Sequence, residues 1–265
     1  FDELAKKCRS CTSWGEVGRT LAFEFSDGKL MFSNMQTLAR FDEDTVRAGL
    51  ADGAFARHCE QASVILLTDW SLYPHMTKCW RLLREKVFSN LSNKKPYFID
   101  LVDPGSRSDA DVREMLEELS QLENCGPVHL GLNGSEVRRL CRALDIPFDP
   151  EEDSPEGLGA LADKIRMRTK LSRIIVHRYA FALCVADDGL NIAEAPFCKS
   201  PKKSTGAGDR FNAGFITGLL LNEPIENCLR LGNACSGFFV RNARSATTPE
   251  LATFLENWAS GSLCG

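Results

Sequence analysis

The stretch KKSTGAGDRFNAGF, Lys202 to Phe215, sets three glycines and two alanines around one aspartate at the head of an apolar run. Glycine loses more conformational freedom on folding than any other residue, so such a cluster marks a place where the backbone itself has a task. The small residues Gly206, Ala207 and Gly208 let consecutive N–H groups converge, and the helix predicted from about Ala207 adds partial positive charge at its N-terminus. They read as an anion hole, with Asp209 presenting a carboxylate inside the first turn. An acid beside an anion hole suits phosphoryl transfer: the carboxylate takes the proton of an attacking hydroxyl while the hole stabilises charge on the moving group. The same residues also fit a plain glycine turn whose Asp209 stabilises a helix start, and spacing alone leaves both readings open. The stretch is neither a G-x-x-x-x-G-K-[ST] loop nor a G-x-G-x-x-G fingerprint.

Upstream, short apolar strands alternate with helical patterns. VILLT (Val64–Thr68), YFIDLV (Tyr97–Val102), PVHLGL (Pro127–Leu132) and RIIVH (Arg173–His177) read as strands. Helical spacing falls at about Pro74–Phe88, Asp109–Leu122 and Val137–Leu144. This alternation predicts a mostly parallel sheet covered on both faces. Two extended runs around Asp187-Asp188-Gly189 predict an antiparallel hairpin, and helices follow at about Ala207–Leu221, Ile225–Asn242 and after Pro249. Nearer the start, GRTLAFEFSDGKLMFSN alternates about Asp27-Gly28, a hairpin signal, because that pair fits the positive φ of a tight turn. The acidic stretch FDPEEDSPEG (Phe148–Gly157) reads as a solvated loop.

The 265 residues carry a formal net charge of -4, with 43% apolar and 26% charged side chains, the balance of a globular α/β chain. That charge argues against a duplex-binding surface, and no apolar run reaches membrane-spanning length. The expectation is therefore neither a nucleic-acid nor a membrane partner. The eleven cysteines are scattered, and only Cys8 and Cys11 form a C-x-x-C pair. A zinc site needs a second pair or histidines at ligand spacing, which His58, His75, His129 and His177 do not offer. Free thiols such as Cys184 in its apolar run point to a reducing, cytoplasmic setting.

STGAGDRFNAGF resembles the C-terminal signature of the ribokinase-like (PfkB-type) sugar kinases, D-T-x-G-A-G-D-x-F-x-x-G. Gly206, Ala207, Gly208, Asp209, Phe211 and Gly214 match it, Ser204 stands for the threonine, and Thr205 falls on the variable position. NGSE (Asn133–Glu136) follows a strand as the family's N-x-x-E does, FIDLVDPGSR resembles its D-x-N-x-R-like turn, and NACSGFFVRNARSATTP resembles its last nucleotide-site helix and loop. The likeness runs from about Ser63 to Leu255. It implies a ribokinase-like three-layer sandwich, with a mostly parallel central sheet covered by helices and a small β lid-like hairpin. Residues 1–60 would be the hairpin part, and 61–265 the nucleotide-binding and catalytic domain. It further implies ATP and Mg2+, with room for a monovalent cation. Asp209 would be the general base, the Gly206–Gly208 backbone the anion hole, and Asn133, Glu136, Thr205 and Asn233 nucleotide contacts. Asn233 would lie near the adenine, and Glu136 would hold Mg2+ through water. The implied partner is a small sugar or sugar-like acceptor, and a homodimer is compatible.

The chain departs from the signature in places. Lys203 stands where the family has an aspartate, His177-Arg178-Tyr179 where it has T-x-G, and Ala243 or Arg244 where it has a late glycine. The chain opens on Phe1, and no G-G-x-x-x-N segment precedes the Gly18 hairpin, so the family's N-terminal portion is expected to be absent. The leading expectation is an ATP-dependent sugar kinase. A nucleoside kinase of the same family, or a kinase-derived binding protein without turnover, are the alternatives.

Overall fold

Apolar runs too short for helices become strands when both faces can be covered. The computed structural model describes all residues except Phe1, Ser26, Asp27, Asn34, Cys264 and Gly265, and the chain divides into two units, Phe1–Ala62 with Asp69–Asn93 and Ser63–Thr68 with Lys94–Gly265.

The first unit holds α1 (Asp2–Ala5), the strands β1 (Thr20–Phe25) and β2 (Gly28–Ser33), and the helices α2 (Met35–Leu38), α3 (Glu43–Leu50), α4 (Ala54–Gln61) and α5 (Met76–Lys86). β1 and β2 pair antiparallel from Thr20↔Ser33 to Phe25↔Gly28. The expected Asp27-Gly28 turn involves Asp27, outside the described residues; Gly28 is already the first residue of β2. The register places Leu21, Phe23, Leu30 and Phe32 on one face of the ribbon, and all four are exposed. α3 begins at Asp42, whose carboxylate accepts the Thr45 N–H (3.0 Å). Trp70, fully buried, donates its indole N–H to Thr77 (2.8 Å) on α5.

The second unit is a six-stranded sheet of β3 (Ile65–Leu67), β4 (Tyr97–Asp100), β5 (Val128–Asn133), β6 (Arg173–His177), β7 (Phe181–Ala186) and β8 (Gly189–Glu194), in that order across the sheet. β3 to β6 are parallel, and β7 and β8 close it antiparallel, with Gly189 at φ 111 just after Asp187-Asp188. Helices α6 (Asp109–Leu122), α7 (Gly134–Ala143) and α8 (Pro155–Thr169) lie between the parallel strands, and α9 (Ala207–Leu220), α10 (Ile225–Asn242) and α11 (Thr248–Ala259) follow the sheet. The sequence reading has no counterpart to α8. Its start lies inside the acidic stretch, where Ser154 caps the helix by accepting the Gly157 N–H (3.0 Å) and Pro155 opens it. The core side of α8 is the i, i+3, i+4, i+7 set Leu158, Leu161, Ala162 and Ile165.

One face of the sheet presents Phe98, Ile175, Ala182, Cys184 and Ala193 to Phe211 and Phe215 of α9 and to Cys228 and Leu229 of α10. On the other face α8 covers β6 and β7, with Gly159 against Leu190. The predicted mostly parallel sheet flanked by helices is thus the observed architecture, and Cys184 is core, as its apolar run suggests. The ten described cysteines are all free thiols. Among the described residues, no helix is long and apolar enough to cross a membrane.

α9 and α10 touch backbone to backbone. A Cβ on Gly214 would stand 2.6 Å from the Leu231 carbonyl oxygen and 2.8 Å from the Gly232 Cα, and one on Gly232 would stand 2.8 Å from the Phe211 ring. Neither obstacle is a flexible side-chain tip. Gly214→Ala should therefore push the helices apart and lower stability by about 1–3 kcal/mol, read as a lower denaturant midpoint at unchanged slope. A midpoint equal to that of the parent would show that the contact is not needed.

Candidate active site

In open α/β sheets, loops leaving the carboxyl ends of the strands converge on one rim. Here β4 ends at Asp100, β5 at Asn133 and β6 at His177, with Asn133 paired to His177 across the ladder. Asn133 is the N-cap of α7: its Oδ1 accepts the N–H groups of Ser135 (2.9 Å) and Glu136 (3.0 Å), and Glu136 Oε2 accepts the Asn133 N–H (2.8 Å). This reciprocal capping box satisfies helix-end donors and folds the Glu136 carboxyl inward. Burial pushes its pKa up to about 7, against the lowering effect of the Asn133 N–H, and the charges of Asp100 and Asp103 push the same way as burial.

Asp100 is tied down from two sides. Its Oδ2 accepts the Asn212 Nδ2–H of α9 (2.6 Å), and its Oδ1 accepts the Val102 N–H (3.0 Å). Val102 sits at φ 57, a strained position for a β-branched residue and of the kind that clusters at functional sites. Asn212 is buried, and its Oδ1 meets no donor among the described residues. No three His, Cys, Asp or Glu side chains close on one metal position among the described residues. The donor set at the strand ends nevertheless fits Mg2+, a hard cation that keeps most of its waters and needs few direct oxygen ligands. Glu136, raised by burial and by two neighbouring carboxylates, is a group that such a cation would relieve.

The glycine loop lies at the start of α9. Gly206 is its N-cap at φ 94, in the region that glycine alone enters freely. The Ala207 N–H closes a turn onto the Ser204 carbonyl (3.0 Å). The N–H groups of Gly208 and Asp209 meet no acceptor among the described residues, so two donors at a helix N-terminus stand open, a cradle that fits a phosphate. Thr205 precedes the cap and is half-buried. Under the loop lies His177, whose Cε1 would be 3.3 Å from a Cβ on Gly208 and whose ring is 5.2 Å from that of Phe211. Burial, and then the charge of Arg178, pull its pKa down to about 4, so the imidazole there is neutral at pH 7. The Asp209 side chain is 70% exposed, with Oδ2 3.6 Å from Arg210 Nη1.

The remaining expected residues lie further round the rim. Asn233, buried on α10, donates its Nδ2–H groups to the carbonyls of Ala193 (3.2 Å) and Glu194 (2.8 Å), tying α10 to the end of β8. The Arg178 side chain is half-buried. It packs where a Gly134 Cβ would be 3.1 Å away and bonds to Asp153, which Arg138 also binds (2.9 Å). Of the two residues in question for the late glycine, Ala243 takes the left-handed conformation, at φ 56 after α10. Asp100, Asn212 and Arg210 go unremarked in the sequence reading. Asp100 and Asn212 lie 112 residues apart, so no local spacing connects them.

The six-stranded, mostly parallel sheet flanked by helices is the ribokinase fold, as comparison with solved structures shows. The chain superposes on ribokinase from Thermotoga maritima with a TM-score of 0.65 at 16% identity, covering 91% of this chain and 70% of that one. It superposes on adenosine kinase from Schistosoma mansoni with a TM-score of 0.66 at 16% identity, covering 86% and 63%. Identities this low establish the fold alone. The family model of prokaryotic ketohexokinase matches residues 2–258, and the chain belongs to that family. The ketohexokinase of Haloferax volcanii is 29% identical to it over 247 residues, 92% of this chain; the chain spans 64% of that protein's length.

Glu136→Gln keeps a side chain able to complete the capping box but removes the titration. With divalent metal chelated, the folded protein holds a proton near neutrality that the unfolded chain releases from about pH 4.5. Parent stability should therefore decline as pH rises from about 4.5 to about 7. The variant should lack this decline, so its melting temperature should gain on that of the parent between those limits. Parallel curves would show that burial does not hold the acid up.

Proposed function

We propose that this chain is an ATP- and Mg2+-dependent kinase that phosphorylates a hydroxyl of a ketohexose or a closely related sugar. The observation that carries this reading is the exposed Asp209 carboxylate in the first turn of α9, beside the open N–H groups of Gly208 and Asp209. In this reading Asp209 takes the proton of the acceptor hydroxyl, and the backbone of Gly206, Ala207 and Gly208 faces the transferred phosphoryl group. Glu136, fixed by the Asn133 cap, holds the waters of the metal ion. Bound Mg2+ and ATP supply charge neutralisation and the phosphoryl group. Asn133 and Thr205 flank the phosphates, and Asn233 lies toward the adenine, so residues 61–265 carry nucleotide and catalysis. The ketohexose is supported by the family and by the name of the Haloferax volcanii relative. A homodimer belongs to the same proposal, supported by the exposed apolar face of the β1–β2 ribbon, a surface of the kind that marks interaction sites.

The test is ADP release from ATP and Mg2+ against ketohexoses, aldoses, sugar acids and nucleosides, in potassium and in sodium buffers. Asp209→Asn should lose roughly 10²–10⁴-fold in kcat while binding nucleotide almost as the parent does. Preference for a nucleoside would move the acceptor to that class. Nucleotide binding with no acceptor-dependent turnover would leave a binding protein.

A further inference from the structure

Arg210 stands at a variable position of the glycine signature, yet its guanidinium is held on several sides. It lies 4.4 Å from the centre of the Phe239 ring of α10. Its Nε donates to Ser245 Oγ (3.3 Å), beyond α10, and its Nη1 donates to the Gly206 carbonyl (3.3 Å). The same Nη1 is 3.6 Å from Asp209 Oδ2. Gly206 makes this possible: a Cβ there would stand 2.8 Å from Nη1. The residue after the base is therefore a fixed cation seated over the N-cap.

A carboxylate beside an anion hole has an electrostatic drawback. It repels the polyphosphate that the hole attracts, and at a partly solvated site such repulsion is substantial within a few ångströms. A guanidinium keeps its proton at any working pH and, stacked on an aromatic face, is preorganised. Placed against Asp209, it offsets that repulsion before the ligand arrives. Its bond to the Gly206 carbonyl also fixes the left-handed cap from which α9 starts, and thus the direction in which the open N–H groups point.

We propose that Arg210 is a positioning residue of the transfer site, which offsets the charge of Asp209 as phosphates approach and anchors the N-cap of α9 through Gly206. The proposal rests on Asp209 being the base. In the transfer step, the acceptor oxygen bonds to the γ-phosphorus and its proton passes to Asp209. The bond from that phosphorus to the ADP oxygen breaks, with the electron pair staying on ADP. Arg210 acts on this step only through Asp209 and the Gly206 cap and keeps its protons throughout.

The experiment is a double-mutant cycle on the full chain, made of the parent, Arg210→Gln, Asp209→Asn and the double variant. Calorimetry with the magnesium complex of a non-hydrolysable ATP analogue gives the affinities. Arg210→Gln should weaken binding roughly 10-fold or more where Asp209 is present, the order of a charge-assisted contact, and clearly less in the Asp209→Asn background. Equal losses in the two backgrounds, or no loss in either, would overturn the charge-offset role. Arg210→Lys keeps the charge without the planar fork. It should bind nucleotide within about threefold of the parent but lose about tenfold in kcat, since it cannot reproduce the stacked, two-bond anchor. A lysine variant with the parent's kcat would overturn the anchoring role, and this comparison holds even if the glutamine variant does not fold. Should no sugar support turnover, the base assignment falls, while the cycle still decides the charge offset from binding alone.

Discussion

The backbone contact between α9 and α10 at Gly214 and Gly232 is the constraint on which the rim of the second unit depends. With no side chain between them, the two helices lie close enough for the flanking residues of one to reach the ends of the other. Phe211, three residues before Gly214, packs on Gly232. Phe239, seven residues after Gly232, lies on the same face of α10 about two turns on and comes under Arg210 at the start of α9. A bulkier pair would keep both helices on the sheet but separate the glycine loop from Phe239 and Ser245. Glycine at these positions thus serves the geometry of the rim as well as the core.

Two acids on this rim meet opposite electrostatic surroundings. Glu136 is buried in the α7 cap among like charges, and no Lys or Arg pairs with it among the described residues. Its proton affinity rises accordingly, and a divalent cation would relieve the same imbalance from outside. Asp209 is largely exposed and has a resident counter-charge in Arg210. The two acids thus answer to different neighbours, Glu136 to burial and like charges and Asp209 to an adjacent guanidinium.

Much of this was legible in the sequence because it is local. The parallel strands are short apolar runs, the hairpin before the glycine loop is set by Asp187-Asp188-Gly189, and α6 and α10 lie at their expected bounds because their apolar periodicity is unbroken. The capping box at Asn133 and Glu136 is a four-residue pattern and folds as one. What was hidden is either masked by composition or carried by distance. The acidic residues ahead of α8 read as a loop because their charge obscures the Ser154-Pro155 start signal. The Asp100–Asn212 bond joins a strand end to a helix, and no sequence period encodes it. Arg210 lies within the most legible motif, but its partners Phe239 and Ser245 become visible only once α10 is placed.

The departures from the family signature also acquire a common sense. Lys203, Arg178 and the variable-position Arg210 each add positive charge near the glycine loop proposed to hold phosphate, in a chain whose net charge is -4. They are not equivalent. Arg178 shares Asp153 with Arg138, so its charge is answered inside the α7 region. Lys203 lies 5.9 Å from the same Phe239 ring that carries Arg210, and no carboxylate pairs with it among the described residues. Two cations gathered at one aromatic face against the single charge of Asp209 leave a local positive excess at the glycine loop. A rim with low-dielectric walls focuses such an excess outward and draws anions in. The aspartate of the family signature would oppose that field, and the lysine in its place reinforces it.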